Sequence, residues 1–572
     1  MYTFLKTHPY PAVPTTIVRV KGSDYEMGRS HAEQTKAYLP NGMPKFYCDF
    51  WRRMIGQKPE GWLESTAFRA ISKLIDPVLV RKLQTRVPDN ILDRIRGVAD
   101  VSGQRFEDLM LSLVLPDLLP ILEVYASRLK LSAIIDVIEP PRFGCSSFVQ
   151  SGEKFFYGRN LDFPGVAYWD RYPVIQVMEP VRGLRYLGFT TAGAPMAGIT
   201  GINEAQVSVA LHQHYCSAVN LRGTLPFLIA EEILGKARNL DTAIEILKGA
   251  RVASSWAFIL TDGKTRDAAV VEITPRTLGI RRLSSEDPVL THSNFYQTEA
   301  CKVSEFATTS RMNWDNYFRK ERLETLVRSY QGKMDPSAGV KCLSDHFDPY
   351  WDEEKIVNRT VAQVYNIQSV LLDPVDMKAY FAEGDAPIQI RDYYEYDLGE
   401  LFAGRGGRTG ALLPGYRFAE EKKQASKVAY ILSFIAAFDG KLDEAVKWLD
   451  EVLRAEFVPE AALVAGVIRL KQAEYEAGRQ LLEKAKLFIE EKAAAKKLAV
   501  FPPEYFEIVI FLARANDLLG RREEALTLYR QMAERKDLED ANIRNLATKA
   551  GPYRAKHLSR ILMPYSSYIP FE

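Results

Sequence analysis

A series of short strand-like segments between two helical regions constrains the fold more than any other feature of this sequence. From residue 144 to about 400, runs of β-branched and aromatic residues alternate with Gly, Pro, Asn and Asp, the pattern of strands separated by turns. The clearest runs are 148–149, 154–157, 174–178, 206–211, 256–261 and 268–273. One amphipathic helix, at about 224–249, interrupts them. The sequence therefore predicts an α+β fold in which two sets of strands carry helices on their outer sides.

The regions on either side of these strands have helical patterns. Residues 24–39 begin with acidic residues, as helix N-termini prefer, and residues 91–103 carry an apolar stripe that ends at glycine. Beyond about residue 417 three related segments recur: Gly-Lys-Leu-Asp-Glu-Ala (440–445), Gln-Ala-Glu-Tyr-Glu-Ala (472–477) and Gly-Arg-Arg-Glu-Glu-Ala (520–525). Their first spacing is close to that of tetratricopeptide repeats, which predicts an all-α domain of helical hairpins over 417–572.

The helical array has two interpretations. It is either a module that binds a protein partner, or an appendage that serves packing or dimerisation; the second is favoured because the sequence indicates no exposed groove. The glycine-rich stretch at 403–410 matches neither glycine pattern that binds phosphate groups, so residues 401–416 are interpreted as a linker. The chain then divides into a helical segment 1–144, a mixed core 145–400, the linker, and the helical domain 417–572.

The composition excludes several classes of protein. Lys and Arg exceed Asp and Glu by only two charges in 572 residues, so no nucleic acid partner is indicated. The longest apolar stretch, residues 109–126, contains two prolines and two acidic residues, which excludes a membrane span. Five cysteines are too few for a disulfide framework. The first residues lack a signal-peptide pattern, which favours a cytoplasmic protein and leaves open an exported form whose leader has been removed.

The stretch with the most chemical information begins just before the first strand of the mixed region. Phe143-Gly-Cys-Ser-Ser-Phe-Val149 is followed, after a turn, by Tyr157-Gly-Arg-Asn-Leu-Asp-Phe-Pro164. This pair of segments resembles the cysteine N-terminal-nucleophile (Ntn) hydrolases, in particular the isopenicillin N acyltransferase-like branch, and more distantly the choloylglycine hydrolases. Further matches extend the resemblance over roughly residues 15–390 in a consistent order, at 22–28, 94–100, 201–204, 261–263, 291–294 and 343–346.

The resemblance implies an αββα four-layer sandwich, preceded by an N-terminal helical pro-segment. It also implies cleavage between Gly144 and Cys145, which leaves residues 1–144 and 145–572 packed together. The α-amino group released on Cys145 then acts as the general base for its own thiol, because such a group titrates near about 7.7–8 whereas a peptide nitrogen is not basic. Glycine before the cysteine permits backbone conformations that bring its carbonyl close to the thiol.

The same resemblance assigns roles to charged and amide residues. Asp162 is expected to hold the α-amino group, and Arg159 to lie near the sulfur, where a guanidinium lowers the pKa of a thiol. On a regular strand these two side chains point to opposite faces, so a bulge or the strand end has to bring both to the site. Asn294 matches the oxyanion donor of the family. Arg319 fits a later arginine of the family slightly better than Arg311, and the pattern does not separate the two.

These residues predict an autoproteolytically activated hydrolase of non-peptide carbon–nitrogen bonds, or an acyltransferase. Cys145 attacks a small-molecule acyl amide, forms a thioester, and passes the acyl group to water or to an amine, with no cofactor and no metal. Hydrolysis is favoured because it needs no second binding site. Tyr168 and Trp169 suit an apolar acyl chain, and His212 lies beside the substrate where relatives carry Asn or Tyr.

Two other functions are compatible with the sequence. The first is a non-catalytic interaction protein that uses its helical repeats and has a degenerate Ntn core. The second is a zinc-dependent hydrolase, because His212, His214 and Cys216 would share one face of a strand. No separate ligand cluster completes a zinc site in the sequence, so the zinc enzyme is the less favoured of the two.

Overall fold

The computed structural model describes residues 11–55, 81–128, 144–305, 309–561 and 563. Two large sheets lie at its centre, and the predicted α+β class is confirmed. The eight-stranded sheet has the order β1-β4-β5-β6-β7-β8-β9-β10, with β1 Thr16–Gly22, β4 Pro173–Pro180, β5 Tyr186–Thr191, β6 Thr200–Asn203, β7 Val207–Gln213, β8 Trp256–Asp262, β9 Asp267–Ile273 and β10 Leu278–Arg282. The seven-stranded sheet has the order β11-β2-β3-β14-β15-β16-β17, with β2 Gly144–Ser151, β3 Phe155–Asp162, β11 Val289–His292, β14 Asn366–Asp373, β15 Lys378–Ala382, β16 Tyr393–Asp397 and β17 Arg408–Leu413. The pair β12 Phe347–Asp348 and β13 Glu353–Glu354 lies outside both sheets.

The described helices fall into an N-terminal group, a group inserted among the strands, and a C-terminal group. The N-terminal group comprises α1 Asp24–Thr35, α2 Met43–Ile55, α3 Arg81–Gln84, α4 Asp89–Ser102 and α5 Phe106–Arg128. The inserted group comprises α6 Pro226–Lys236, α7 Leu240–Gly249, α8 Glu299–Lys302, α9 Ser310–Ser329, α10 Pro336–Leu343 and α11 Leu398–Phe402. The C-terminal group comprises α12 Glu421–Phe438, α13 Leu442–Ala455, α14 Pro459–Lys471, α15 Tyr475–Ala495, α16 Pro503–Leu518, α17 Arg522–Ala533 and α18 Ala541–Lys549. Among these described helices, none is long and apolar enough to cross a membrane.

The two large sheets pack face to face. Successive residues of a strand point to opposite faces, and the apolar residues of β2 and β3 follow this alternation. Val149 and Tyr157 share an apolar cluster with Ile175 of the eight-stranded sheet. Their neighbours Phe148 and Phe156 share a different cluster with residues of α9 and α10. Because both of its faces are covered, every residue of β3 is buried.

The helix predicted at 224–249 is in fact two helices, α6 and α7. The chain is extended at Ala237, and Asn239 then begins α7 by accepting a hydrogen bond from the backbone of Thr242, as an N-cap residue does. The sequence prediction was wrong here because it followed apolar spacing and gave no weight to this cap. Both helices pack on the outer face of the eight-stranded sheet.

The C-terminal helices run as consecutive packed pairs, and the first of them joins the interior of the rest of the chain. Phe438 of α12 stacks on Phe46 of α2 with ring centroids 5.3 Å apart. Residues 401–416, which the sequence predicts to be a linker, include β17, paired with β16 at the edge of the seven-stranded sheet. The C-terminal helices therefore follow directly on a sheet strand and share an apolar cluster with the N-terminal helices.

Candidate active site

The hairpin of β2 and β3 brings three of the predicted residues together. Antiparallel pairing sets Gly144 opposite Asp162 and Cys145 opposite Leu161. Arg159 points into the space between the two sheets, where it donates to Thr200 of β6. Asp162 ends its strand, and β14 has an irregularity opposite it. The strand end thus lets Arg159 and Asp162 reach the site from opposite faces, as the sequence requires.

Cys145 is fully buried and surrounded by polar atoms. Its Sγ lies 3.5 Å from Nη2 of Arg159 and 3.7 Å from the carbonyl oxygen of Leu211. Its backbone N–H donates to Oδ1 of Asn294 at 2.6 Å, and its carbonyl oxygen accepts from Nη1 of Arg319 at 2.8 Å. Burial raises the pKa of the Cys145 thiol, and the two guanidinium groups oppose that rise.

Asp162 carries an incompletely satisfied carboxylate. Its Oδ1 accepts a hydrogen bond from Nδ2 of Asn366 at 2.9 Å, whereas its buried Oδ2 accepts none from the residues that the structure describes. Nη1 of Arg319 lies 3.6 Å from that Oδ2. Burial raises the pKa of Asp162 to about 6, although Arg319 and Asn366 oppose the rise. A Cβ at position 144 would lie 3.4 Å from Oδ2 and 3.1 Å from Cβ of Asp162, so glycine permits the close approach of the two strands here.

The structure separates the two candidate arginines. Arg319 is buried against Cys145, and its Nη1 also donates to Oγ of Ser146 at 2.7 Å. Arg311, two turns earlier on α9, forms a buried ion pair with Glu507 of α16 at 2.9 Å. The geometry therefore selects Arg319 as the arginine at the candidate site.

Asn294 contacts Cys145 through its oxygen rather than through its amide N–H. Oδ1 faces the Cys145 N–H, while Nδ2 donates to the carbonyl oxygen of Gln213 at 2.9 Å. In this uncut chain, the group expected to stabilise an oxyanion is therefore engaged with the backbone of β7. Arg319 holds the same Oδ1 from the other side at 3.4 Å.

An apolar cavity reaches Ile199, the residue before β6, and Cys145, Arg159 and Asp162 are not among its lining residues. Its wall comes mainly from the N-terminal helices and from residues 193–199, and Trp169, Thr190 and Phe227 contribute to it. Ile199 in the wall precedes Thr200, which binds Arg159. Tyr168 and His212 are not among the lining residues. Tyr168 instead packs on Phe46 and Phe438, with ring centroids 5.5 and 5.9 Å away.

Comparison with known proteins finds a family whose model matches part of this chain. Residues 149–387 match the model of the acyl-coenzyme A:6-aminopenicillanic acid acyl-transferase family. The resemblance inferred from the sequence is thereby confirmed, and the match points to an enzyme of the acyltransferase or hydrolase type. Arg159, Asp162, Asn294 and Arg319 lie within the matched range, whereas Cys145 lies just before it.

A protein of Archaeoglobus fulgidus (strain ATCC 49558 / DSM 4304 / JCM 9628 / NBRC 100126 / VC-16) is similar to the chain and is described only as an uncharacterized protein. It is 23% identical over 329 residues, which cover 49% of this chain and 52% of the relative. The chain therefore spans about half the length of the curated relative that it matches.

The geometry does not support a zinc site at the three residues of the alternative hypothesis. Strand β7 ends at Gln213, so the alternation that would align His212, His214 and Cys216 stops there. Nε2 of His212 contacts Oγ of Ser147 at 2.7 Å, and Nε2 of His214 contacts Nε2 of His292 at 2.8 Å. Within the described ranges, no group of three or more His, Cys, Asp or Glu side chains is placed to hold a metal ion.

Several polar residues of the candidate site were missed by sequence reasoning. Asp315 accepts from Nε of Arg319 at 2.9 Å, and Asn316 accepts from its Nη2 at 2.6 Å. Asp315 lies four residues before Arg319 on α9, a spacing that could have indicated an ion pair. Asn366 and Thr200 come from distant strands, and no local pattern marks them.

Proposed function

We propose that this chain is an autoproteolytically activated cysteine amidohydrolase or acyltransferase that acts on small acyl amides through a thioester on Cys145. The observation that supports it best is the convergence of Cys145, Arg159, Asp162 and Asn294, which the sequence separates by up to 149 residues. The family match over residues 149–387 supports the same class of chemistry.

Activation begins with the intact peptide bond between Gly144 and Cys145. Sγ of Cys145 adds to the carbonyl carbon of Gly144, and the peptide nitrogen leaves with the thiol proton, which gives a thioester. Water then hydrolyses the thioester to a Gly144 carboxylate and a free thiol. The product is a cysteine whose α-amino group is a base of ordinary strength near neutral pH. The unsatisfied Oδ2 of Asp162, which faces Gly144 across the two strands, is a ready acceptor for that amine.

Turnover uses the new amine as a proton carrier. The amine takes the proton of the Cys145 thiol, the thiolate attacks the substrate carbonyl, and the ammonium returns a proton to the leaving amine. Arg159 stabilises the thiolate at 3.5 Å. Water or an acceptor amine then attacks the thioester and restores the thiol. For Asn294 to stabilise the oxyanion, its Nδ2 exchanges the Gln213 carbonyl for the developing charge.

The apolar cavity is the proposed acyl site. Its lining combines α2, α4 and α5 with the 193–199 loop, so the N-terminal segment has to remain bound after cleavage. We assign Trp169 to this site, whereas His212 and Tyr168 do not line the cavity. The facing sheets and their helices correspond, in this proposal, to the four-layer Ntn sandwich of residues 145–400, and the helices of 417–572 to a tetratricopeptide-like domain.

Intact-mass spectrometry tests the proposal. We expect the wild-type protein to give two fragments, 1–144 and 145–572, and to release fluorophore from acyl amides of aminomethylcoumarin. Cys145→Ala should remain one chain and be inactive, while Cys48→Ala, which removes another buried thiol, should behave as wild type. Wild-type protein that stays uncut after prolonged incubation and turns over no acyl amide would count decisively against the proposal.

A further inference from the structure

Acidic residues of the C-terminal helices enter the protein interior and bind a single loop, residues 355–363, which we name the clamp loop. Glu504 of α16 accepts two hydrogen bonds from the guanidinium of Arg359, at 2.9 and 2.7 Å. Glu460 of α14 accepts from Lys355 at 2.6 Å and from Asn358 at 3.1 Å. Both glutamates are 1% exposed. Burial opposes ionisation of Glu504, but Arg359, together with the charges of Lys355 and Arg311, lowers its pKa to about 2, so this contact is an ion pair inside the protein.

The clamp loop has a backbone conformation that needs external support. Asn358 and Arg359 have φ values of 60° and 49°, a left-handed region that residues other than glycine rarely occupy, here in two consecutive residues. Lys427 of α12 adds a second point of attachment, because its fully buried ammonium donates to the carbonyl oxygens of Ile356 and Ala362 at 3.2 and 2.7 Å. Three C-terminal helices therefore hold this loop.

Hydrogen bonds through Asp315 and Arg319 connect the clamp loop to Cys145. The backbone N–H of Arg359 and Nε2 of Gln363 both donate to Oδ1 of Asp315, at 2.7 and 2.8 Å. The other oxygen of Asp315 accepts from Nε of Arg319 at 2.9 Å. Arg319 in turn donates to the Cys145 carbonyl at 2.8 Å. A continuous set of buried hydrogen bonds thus joins Glu504 to the nucleophile.

We propose that the C-terminal helices are a positioning element of the reaction centre, in which Glu504, Glu460 and Lys427 fix the clamp loop so that Asp315 holds Arg319 against Cys145. The inference rests on the proposed function, because it requires Cys145 to be the nucleophile. Glu504 and Glu460 are positioning residues: they touch neither Cys145 nor Arg319 in the described contacts. Lys427 also acts on Asp162 through its charge. The helical domain is then part of the enzyme's catalytic unit rather than an appendage.

The chain offers a matched control on the same helix. Glu507 lies three residues after Glu504 on α16, is 2% exposed, and also pairs with a buried arginine of the core, Arg311. Glu504→Gln and Glu507→Gln make the same substitution at the same depth on one helix, and in the described hydrogen bonds only Glu504 contacts the clamp loop. Burial raises the pKa of Glu507 to about 8, so Glu507→Gln controls for the substitution on this helix and not for the loss of a negative charge. Arg359 keeps Asp348 as a second carboxylate at 3.1 Å, which favours folding of Glu504→Gln.

The test measures two rates on the full-length chain. Cell-free synthesis with a radiolabel chase gives the rate of self-cleavage, and acyl-aminomethylcoumarin hydrolysis by mature protein gives kcat and KM. We expect Glu504→Gln to lower kcat and the cleavage rate by about tenfold or more with KM little changed, since small misplacements of a reacting group have effects of that order. Glu507→Gln should stay close to wild type. Glu460→Gln, which alters the carboxylate that holds Lys355 and Asn358, should lower kcat as Glu504→Gln does.

The outcomes separate this inference from the proposed function. Equal losses of kcat in Glu504→Gln and Glu507→Gln that follow their loss of Tm would overturn the inference and leave Cys145 as the nucleophile. Wild-type rates in both Glu504→Gln and Glu460→Gln would also overturn it. If Glu504→Gln does not fold, Glu460→Gln alone decides, by a lowered or an unchanged kcat at wild-type Tm. Wild-type protein that neither cleaves itself nor turns over amide refutes the proposed function and the inference with it.

Discussion

Replacing Asp162 by asparagine should stabilise the uncut chain while it abolishes activity. The carboxylate is buried with one unsatisfied oxygen, and its pKa is raised from 3.8 to about 6, chiefly by burial. Because one pKa unit corresponds to about 1.4 kcal/mol, this difference corresponds to about 3 kcal/mol of cost for the ionised side chain in the folded state at pH 7. Asparagine resembles the neutral acid and lacks this cost. We expect Asp162→Asn to raise the free energy of unfolding by up to about 3 kcal/mol at pH 7.

The stability that Asp162→Asn gains should increase as the pH rises. The pKa of Asp162 is higher in the folded chain, about 6, than its ordinary value of 3.8, so the native state binds the extra proton between these two values. This group therefore lowers the stability of the unsubstituted chain as the pH rises from about 4 to about 6. The advantage of Asp162→Asn should be small at pH 4 and reach its full size above pH 6. Urea unfolding in the Cys145→Ala background, which keeps the chain uncut, measures this at both pH values.

Asp170 provides the matched control. It is equally buried and its pKa is also raised to about 6 by burial, but its two oxygens accept backbone N–H groups of Ala167 and Ala386 at 2.7 and 2.9 Å. An amide nitrogen cannot accept the second of these bonds, and an unsatisfied buried N–H costs about 1–3 kcal/mol. The free energy of unfolding should therefore rise by about 1–3 kcal/mol less in Asp170→Asn than in Asp162→Asn. A destabilised Asp162→Asn, or a gain that does not grow between pH 4 and pH 7, would refute the reasoning.

Three further substitutions test the surroundings of the site. Arg159→Met removes the cation 3.5 Å from the sulfur, so alkylation of Cys145 by iodoacetamide at pH 7 should slow by about tenfold for each unit by which the thiol pKa rises. Mass spectrometry of the labelled peptide measures the alkylation rate, and an unchanged rate would contradict a role of Arg159 in stabilising the thiolate. Ala194→Phe fills part of the cavity and should raise KM for long acyl chains but not for short ones; a uniform change would place the acyl chain elsewhere. His212→Gln keeps a partner for Ser147 and should leave KM and the pH profile unchanged, because burial holds the pKa of His212 well below its usual value; a shifted profile would return His212 to the reaction.

The local part of the site could be predicted because a hairpin converts sequence spacing into proximity. Once Gly144 and Asp162 are known to start and end paired strands, the neighbourhood of Cys145 and Arg159 follows from the register. The role of the strand end was also predictable, since alternation alone would have separated Arg159 from Asp162. Spacing of this kind says nothing about Asn366, which reaches Asp162 from a strand more than 200 residues away.

The choice between Arg311 and Arg319 was beyond the sequence for a geometric reason. Eight residues on one helix correspond to about 12 Å along its axis, so only the position of α9 relative to Cys145 decides which arginine reaches the site. That position depends on tertiary packing against β2 and on the buried pair of Arg311 with Glu507. The same packing explains why the sequence favoured an appendage for the C-terminal helices: a glutamate in a helical repeat looks like an ordinary surface residue until its buried partner is known.

Sequence reasoning does not distinguish Asp162 from Asp170. Both are aspartates in or just after the second strand of the hairpin region, both are buried, and burial raises the pKa of each to about 6. Asp170 is fully satisfied by backbone donors, which is what a structural aspartate requires. Asp162 retains one oxygen without a described hydrogen bond, opposite Gly144, whose peptide bond breaks in the proposed activation. A buried carboxylate oxygen that lacks a hydrogen-bond donor costs stability unless a donor arrives later, and in the proposed reaction the α-amino group released on Cys145 is such a donor.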